Sequence, residues 1–203
     1  SSGLSLEVDI PDGSHGHKII SFSLGMNATH WAINAACVLA MASAAGIDIE
    51  STVTHLGSFQ DLPGRGRSID LDIAGHNFTL IDDSYNASPS SMTAAIAHLA
   101  TQSGEIKSAI LSDMLELGDR GHDAHIALVL PLMQAGISQL ITVGKMMAEV
   151  GERLASHIDV KSFQTADDVI SQIISAPEQI IGKSNIVLVK GSHGSGAHLI
   201  ATQ

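Results

Sequence analysis

Two hydrophobic rhythms divide this chain. In its first part, LSLEVDI (4–10) and HKIISFSL (17–24) set apolar residues beside polar ones at short intervals, with the turn-rich PDGSHGH around the junction. That pattern predicts two short strands. A long apolar stretch, INAACVLAMASAAGI (33–47), follows. It predicts a buried helix over about residues 30–45, with Thr29 placed as its cap and Gly46 at its end. A shorter helix over about 49–57 comes next. SFQDLPGRGRS (58–68) then breaks both rhythms, and a domain boundary is placed near residue 62.

Beyond the boundary the pattern is regular. SIDLDIA and FTLI flank the Gly-containing turn AGHN and predict an antiparallel hairpin. Helices are expected over about 90–102, 121–135 (bent at Pro131), 145–156, 166–176 and 196–203. Between them lie the apolar runs IKSAILS (106–112), LITV (140–143) and NIVLVK (185–190), with a short strand near 160–163. Strands alternating with helices imply a parallel sheet covered on both faces. Residues 63–203 are therefore read as an α/β domain with a doubly wound, mostly parallel, Rossmann-like sheet and an antiparallel hairpin at its start. Residues 1–62 form a separate piece.

Composition narrows the function. The 203 residues carry a formal charge of −11, only 15% charged residues and 3% aromatics. This disfavours nucleic acid and anionic membranes as partners, and leaves few rings for base stacking. The 33–47 run is shorter than the roughly 18–20 residues that cross a bilayer. The single cysteine, Cys37, permits no disulfide within the chain, which suits a reducing cytosol. It is read as a small buried hydrophobe. The chain begins without Met and reads as a piece of a longer protein.

In doubly wound folds, ligands bind outside the carboxyl ends of the strands. Here the ends read Asp82-Asp83-Ser84, Ser112-Asp113-Met114, Gly144-Lys145 and Lys190-Gly191-Ser192-His193. Any α/β loop is polar somewhere; four such ends on one edge point to a site. In LIDDSYNASPSSM (80–92), Ser88 suits an N-cap and Pro89 the first helical position. The two acids before them fit sugar hydroxyls, an ammonium or a metal, not phosphate. Lys190 either meets a carboxylate or phosphate or is a lysine snorkelling from a strand end. Arg65 and Arg67 can reach a phosphate from a flexible hinge or belong to a solvated linker. The glycines at 191, 194 and 196 lack dinucleotide-fingerprint spacing, and neither a P-loop nor a G-x-S-x-G elbow is present. His15 and His17, or His122 and His125 with Asp119 and Asp123, give no closed zinc set, and no metal site is assigned.

Several stretches together resemble the Mur ligases. IDDSYNASPSSMTAAI and LSDMLELGDRGHDAH are similar to motifs of the branch that adds D-alanyl-D-alanine to UDP-N-acetylmuramoyl-tripeptide. ITVGK, VLVKGSHG, HWAINAACVLA and GRGRS follow the family in order over nearly the whole chain. Departures are Ser88 for the family's Asn in YNANP, Ser112 for a Gly, and His193 for an Arg, which removes one anion contact.

The resemblance implies an ATP-dependent peptide ligase of cytoplasmic peptidoglycan synthesis, serving cell-wall growth, shape and division. Residues 1–62 would be the end of its central ATPase domain and 63–203 its C-terminal domain. The P-loop, the magnesium-binding Glu and a modified lysine would lie upstream. No catalytic set is then complete here, and this piece alone is expected to be inactive. ATP and Mg are the implied cofactors; UDP-N-acetylmuramoyl-tripeptide and D-alanyl-D-alanine are the implied substrates. His30 and Asn34 would serve adenine. Arg67, with Arg65 as the alternative, would serve phosphates or ribose, and Asp83 with Asp82 the ribose hydroxyls. Tyr85, Asn86, Ser88, Lys190, Ser192 and His193 would border the dipeptide pocket. The rival readings are a relative joining another amino acid and a non-catalytic nucleotide- or peptide-binding module.

Overall fold

The computed structural model describes residues 4–12, 16–25, 30–59, 62–73 and 75–202. His15 and Thr29 fall outside the described residues, as does the side chain of His30. Two compact units divide the chain, Ser1–Asp61 and Leu62–Gln203. Among the described residues no helix is long and apolar enough to cross a membrane.

In the first unit, strands β1 (Leu4–Asp12) and β2 (Gly16–Leu24) pair antiparallel. Helix α1 (His30–Ala44) packs against β1 and against helix α2 (Ile49–Gly57). Asp48 caps α2 by accepting from Ser51 N at 2.8 Å. The expectation that α1 is a buried helix needs correction. Ala35, Leu39 and Ala42 are buried, while Ile33 and Met41 are 67% and 64% exposed. Cys37 is exposed rather than a buried hydrophobe. Apolar residues surround this helix, so nothing in its pattern marks which face is covered.

The second unit starts with an antiparallel hairpin, β3 (Arg67–Ile73) and β4 (His76–Asp83). There follow α3 (Pro89–Thr101), β5 (Lys107–Ser112), α4 (Gly121–Ile126), α5 (Val129–Gln134) and β6 (Gln139–Val143). Next come α6 (Lys145–Leu154), β7 (Asp159–Phe163), α7 (Ala166–Ser175), α8 (Pro177–Ile180), β8 (Ile186–Lys190) and α9 (Ala197–Ala201). The sheet order is β3-β4-β8-β5-β6-β7, with all pairs parallel except β3–β4. This is the doubly wound α/β sheet, with its opening hairpin, that the sequence implies.

Two apolar cores sandwich the sheet. One holds Met92, Leu99, Leu111, Leu132, Met147 and Leu154, from β5, α3, α5 and α6. The other holds Phe78, Ile141, Val169, Ile180, Val189 and Ile200, from the opposite face and α7–α9. The central strands β5, β6 and β8 are buried along nearly their whole length, which is why they read as unbroken apolar runs.

The expected helix over 121–135 is two helices, and the break falls at Ala127–Leu128 rather than at Pro131. Proline lacks an N–H and clashes with the preceding turn, so it fits only the first turn of a helix. Pro131 sits in the first turn of α5, which therefore has to start afresh ahead of it. The last expected helix is likewise shorter, Ala197–Ala201, preceded by a 3₁₀ turn at His193–Ser195 and by Gly196 at φ 79°.

The position of β8 sets up the site. Chain crossovers place α3 and α4 on one face of the sheet and α9 on the other. The loops after β4 and β5 therefore leave in the opposite direction to the loop after β8. A crevice opens at such a switch point, outside the strand ends.

Candidate functional site

Three strand ends and one loop meet at this edge. Parallel pairing sets Asp83 of β4 opposite Lys190 of β8, and Leu111 of β5 opposite Lys190 from the other side. Antiparallel pairing sets Arg67, at the start of β3, opposite Asp82. The arginine segment and the two acids therefore share one edge.

Adjacent residues of a strand point in opposite directions, and the two acids do different things. Asp82 is 4% exposed. Its Oδ2 accepts from Gly64 N at 2.8 Å, and its Oδ1 accepts from Ser84 N at 3.3 Å and from Ser84 Oγ. Both oxygens are thus engaged within the protein. The Asp82 carbonyl also accepts from Gly66 N at 2.8 Å, and Tyr85 N donates to Gly64 O at 2.9 Å. From Leu62 onward the arginine segment is therefore not a solvated linker; it is folded onto the end of β4. Gly64 has φ 74°, and a Cβ there would stand 2.9 Å from the Tyr85 Cβ, so only glycine fits.

Asp83 faces β8. Lys190 is 2% exposed, and its Nζ donates to Asp83 Oδ2 at 2.7 Å and to Asn86 O at 2.9 Å. The lysine is not snorkelling to solvent. It is an internal post that holds the strand end and the following Tyr-Asn turn together. Asp83 keeps 20% of its side chain exposed, and its Oδ1 makes no hydrogen bond to a described residue. One oxygen of Asp83 is thus available to a ligand.

Ser88 caps α3: its Oγ accepts from Ser91 N at 3.3 Å, and Ser91 Oγ accepts from Ser88 N at 2.9 Å. Asn86 folds its Oδ1 onto Ala87 N at 2.8 Å. Above this turn the Arg65 guanidinium lies 4.2 Å from the Tyr85 ring centroid. The half-exposed Tyr85 ring tilts against His193 at 5.7 Å, and His193 stacks on His198 at 4.0 Å. A cation–aromatic pile of this kind holds an arginine in place without neutralising it. Arg67 is exposed at the start of β3.

The sequence did not reveal how the neighbouring loops are fastened. Ser192 Oγ accepts from Leu115 N at 2.9 Å, Ser192 N donates to Asp113 O at 3.4 Å, and the Ser112 and Ser195 hydroxyls are bonded at 2.5 Å. The loops after β5 and β8 are thereby tied together. A Cβ on Gly191 would land 1.5 Å from Ser112 Oγ, so the serine at 112 presupposes glycine at 191. Asp113 accepts from Met147 N at 2.7 Å and Met146 N at 3.3 Å, capping α6 from another strand.

His125 is fully buried and structural. Met114 N donates to its Nε2 at 2.9 Å, and its Nδ1–H donates to Gly121 O at 2.6 Å. Those backbone partners fix the neutral tautomer with the proton on Nδ1. The 4.0 Å approach of Nε2 to Asp113 is therefore not an ion pair.

In the first unit, Asn34 is exposed on α1 and lines an apolar cavity of about 510 Å³ with Trp31, Val38, Thr52, His55 and Phe59.

Residues 69–193 match the family model described as Mur ligase, glutamate ligase domain. The UDP-N-acetylmuramoyl-tripeptide–D-alanyl-D-alanine ligase of Rickettsia prowazekii is 32% identical over 178 residues, covering 88% of this chain and 38% of that protein. The protein of the same name from Escherichia coli is 29% identical over 201 residues, covering 96% of this chain and 40% of its own length. A crystal structure of MurF from Acinetobacter baumannii superposes with a TM-score of 0.75 at 27% identity, covering 97% of this chain and 42% of that one. The chain thus spans about two fifths of the relatives it matches.

Proposed function

The chain belongs to the Mur ligase family, and from that premise we propose that it is the C-terminal part of an ATP-dependent ligase joining D-alanyl-D-alanine to UDP-N-acetylmuramoyl-tripeptide. In that reaction the γ-phosphoryl group of ATP passes to the terminal carboxylate of the tripeptide, giving an acyl phosphate and ADP. The dipeptide amine attacks the acyl carbon and phosphate leaves. Residues 1–62 are assigned to the end of the central nucleotide-binding domain and 63–203 to the C-terminal domain.

One observation carries the reading: Asp83 stands at the switch point with one oxygen bound to Lys190 and the other unengaged. A carboxylate fixed in this way accepts a hydrogen bond from a ribose hydroxyl through its unengaged oxygen. Asp82, with both oxygens engaged, holds the arginine segment. Arg65 and Arg67, presented at the same edge, bring positive charge to phosphates. Asn34 on its apolar cavity suits a purine: apolar and aromatic lining, Trp31 and Phe59 included, and one amide to read the ring edge. His30, four positions earlier in the chain, is assigned to the same ligand. Tyr85, Asn86, Ser88, Ser192 and His193, on loops held by Lys190, border the amine-substrate pocket. Their contribution is orientation of the amine and exclusion of water.

Magnesium does not fit this edge. Asp82 is engaged by N–H and O–H donors, Asp83 faces an ammonium, and the described residues contain no group of three metal-ligating side chains. The metal is assigned to the part of the full-length product outside this chain.

The test is phosphate release by the full-length product of the gene. It is expected only when ATP, UDP-N-acetylmuramoyl-tripeptide and D-alanyl-D-alanine are all present, and residues 1–203 alone are expected not to turn over ATP. Repeating the assay with single amino acids in place of the dipeptide separates this reading from a relative with another substrate. Release that ignores the dipeptide would overturn it. In the same enzyme, Asp83→Ala is expected to raise the KM for ATP about tenfold, the loss of roughly one charge-assisted hydrogen bond. Asp83→Asn, which keeps an acceptor for Lys190, should show most of that rise without the loss of stability. An unchanged KM for ATP removes Asp83 from the nucleotide site.

A further inference from the structure

Glu116 stands out on the loop that follows β5. It is the only non-glycine residue with a positive φ, 63°, among the described residues. The left-handed region is unfavourable for a side chain with a Cβ, and glutamate lacks the short amide or carboxylate with which Asn or Asp eases it. Glycine would take the same conformation freely. Local structure gives no reason for glutamate here. Its side chain caps no helix and makes no hydrogen bond or ion pair with a described residue, although it is exposed.

The three residues before it, by contrast, are fastened. Met114 N is bonded to buried His125, Leu115 N to Ser192 Oγ, Asp113 N to Val143 O, and Asp113 O receives Ser192 N. The Leu115 side chain lies 3.0 Å from where a Cβ on Gly194 would be, so this loop presses on the loop that carries His193. A strained residue persists only when its surroundings over-determine it, and such residues collect at binding sites. Of the other charges near the crevice, Asp82 is engaged by N–H groups, Lys190 by Asp83 and Arg65 by the Tyr85 ring, while the free oxygen of Asp83 and the exposed Arg67 are assigned to the nucleotide. Glu116 is the exposed carboxylate that follows Leu115, whose N–H holds the 190–196 loop at Ser192.

We propose that Glu116 is the group that recognises the ammonium of the incoming amine substrate. This rests on the ligase reading above and deepens it, because an amine-accepting pocket bordered by the Tyr85–Ser88 turn, Ser192 and His193 needs one negative group to orient a zwitterionic dipeptide. The His193 side receives the terminal carboxylate, and Glu116 attracts the amino end.

Kinetics of the full-length enzyme test this. Glu116→Gln is expected to raise the KM for D-alanyl-D-alanine at least tenfold and to leave those for ATP and the UDP-linked tripeptide within about twofold. Glu116→Gly should raise the dipeptide KM equally, yet raise the melting temperature by about 1–3 °C through relief of the left-handed strain. Propionyl-D-alanine, which lacks the amino group, should inhibit the wild type and Glu116→Gln equally. A wild-type enzyme that does not ligate the dipeptide refutes the ligase reading, and the proposal with it. A wild type that ligates, with an unchanged dipeptide KM in both variants, refutes the proposal alone. A lower melting temperature in Glu116→Gly with all three KM values raised makes Glu116 a structural residue and also overturns it.

Discussion

Lys190→Met destabilises the unit carrying the candidate site by about 3–4 kcal/mol. Methionine keeps the length and the apolar stem of lysine, so β8 and its neighbours stay packed. What disappears is the ammonium that serves Asp83 Oδ2 at 2.7 Å and Asn86 O at 2.9 Å. Breaking a buried ion pair by removing one partner typically costs about 3–5 kcal/mol, because the remaining charge stays buried and unpaired. Asp83 retains 20% exposure, so water reaches it and the lower part of that range applies. The chain supplies its own reporters. Tyr85 is the single tyrosine and lies in the affected turn; Trp31 is the single tryptophan and lies in the other unit. Urea titration read by Tyr85 emission in a Trp31→Phe background gives the loss, and Trp31 emission in the parent gives the comparison. Adding Asp83→Asn to Lys190→Met should restore a large part of the stability, since neither charge is then stranded. A double variant no more stable than Lys190→Met would show that the pair is not the source.

The same pair marks where the sequence stops being legible. Strands β5, β6 and β8 could be read directly, because a strand buried on both faces has to be apolar throughout. Ser88-Pro89 announced the start of α3, since a hydroxyl cap and a proline without an N–H satisfy a helix's first turn and little else. The contact between Asp83 and Lys190 spans 107 positions and depends on β8 inserting between β4 and β5. No local pattern encodes that strand order, so Lys190 read equally well as a surface lysine. Cys37 failed for the opposite reason. Its helix is apolar on every side, and the covered face is chosen by tertiary packing alone. The division of labour between Asp82 and Asp83 lay between these cases. Alternation in a strand predicts different surroundings for neighbours, but which acid turns inward depends on the loop at 62–66 folding back.

That loop provides the second large effect. Asp82→Ala should cost about 3 kcal/mol and, for the proposed ligation, lower kcat/KM of the full-length product about a hundredfold. The carboxylate takes three donors, Gly64 N, Ser84 N and Ser84 Oγ, in a place that is 4% exposed. Each buried donor left without a partner costs about 1–3 kcal/mol, and water entering the space of the lost carboxylate offsets part of the sum. The catalytic loss has a different origin. Gly64 N is the point at which the arginine segment is tied to β4 by a side chain, and Arg65 meets the Tyr85 ring one residue later. A positioning error of about 1 Å in a charged group can cost a hundredfold in rate. Asp82→Asn separates the two contributions. Its amide oxygen can still serve Ser84, but its NH₂ then opposes Gly64 N–H, so stability should recover partly while the loop stays untied. If Asp82→Asn regains full kcat/KM together with its stability, the tie to Gly64 does not place the arginines, and Asp82 acts through the fold alone.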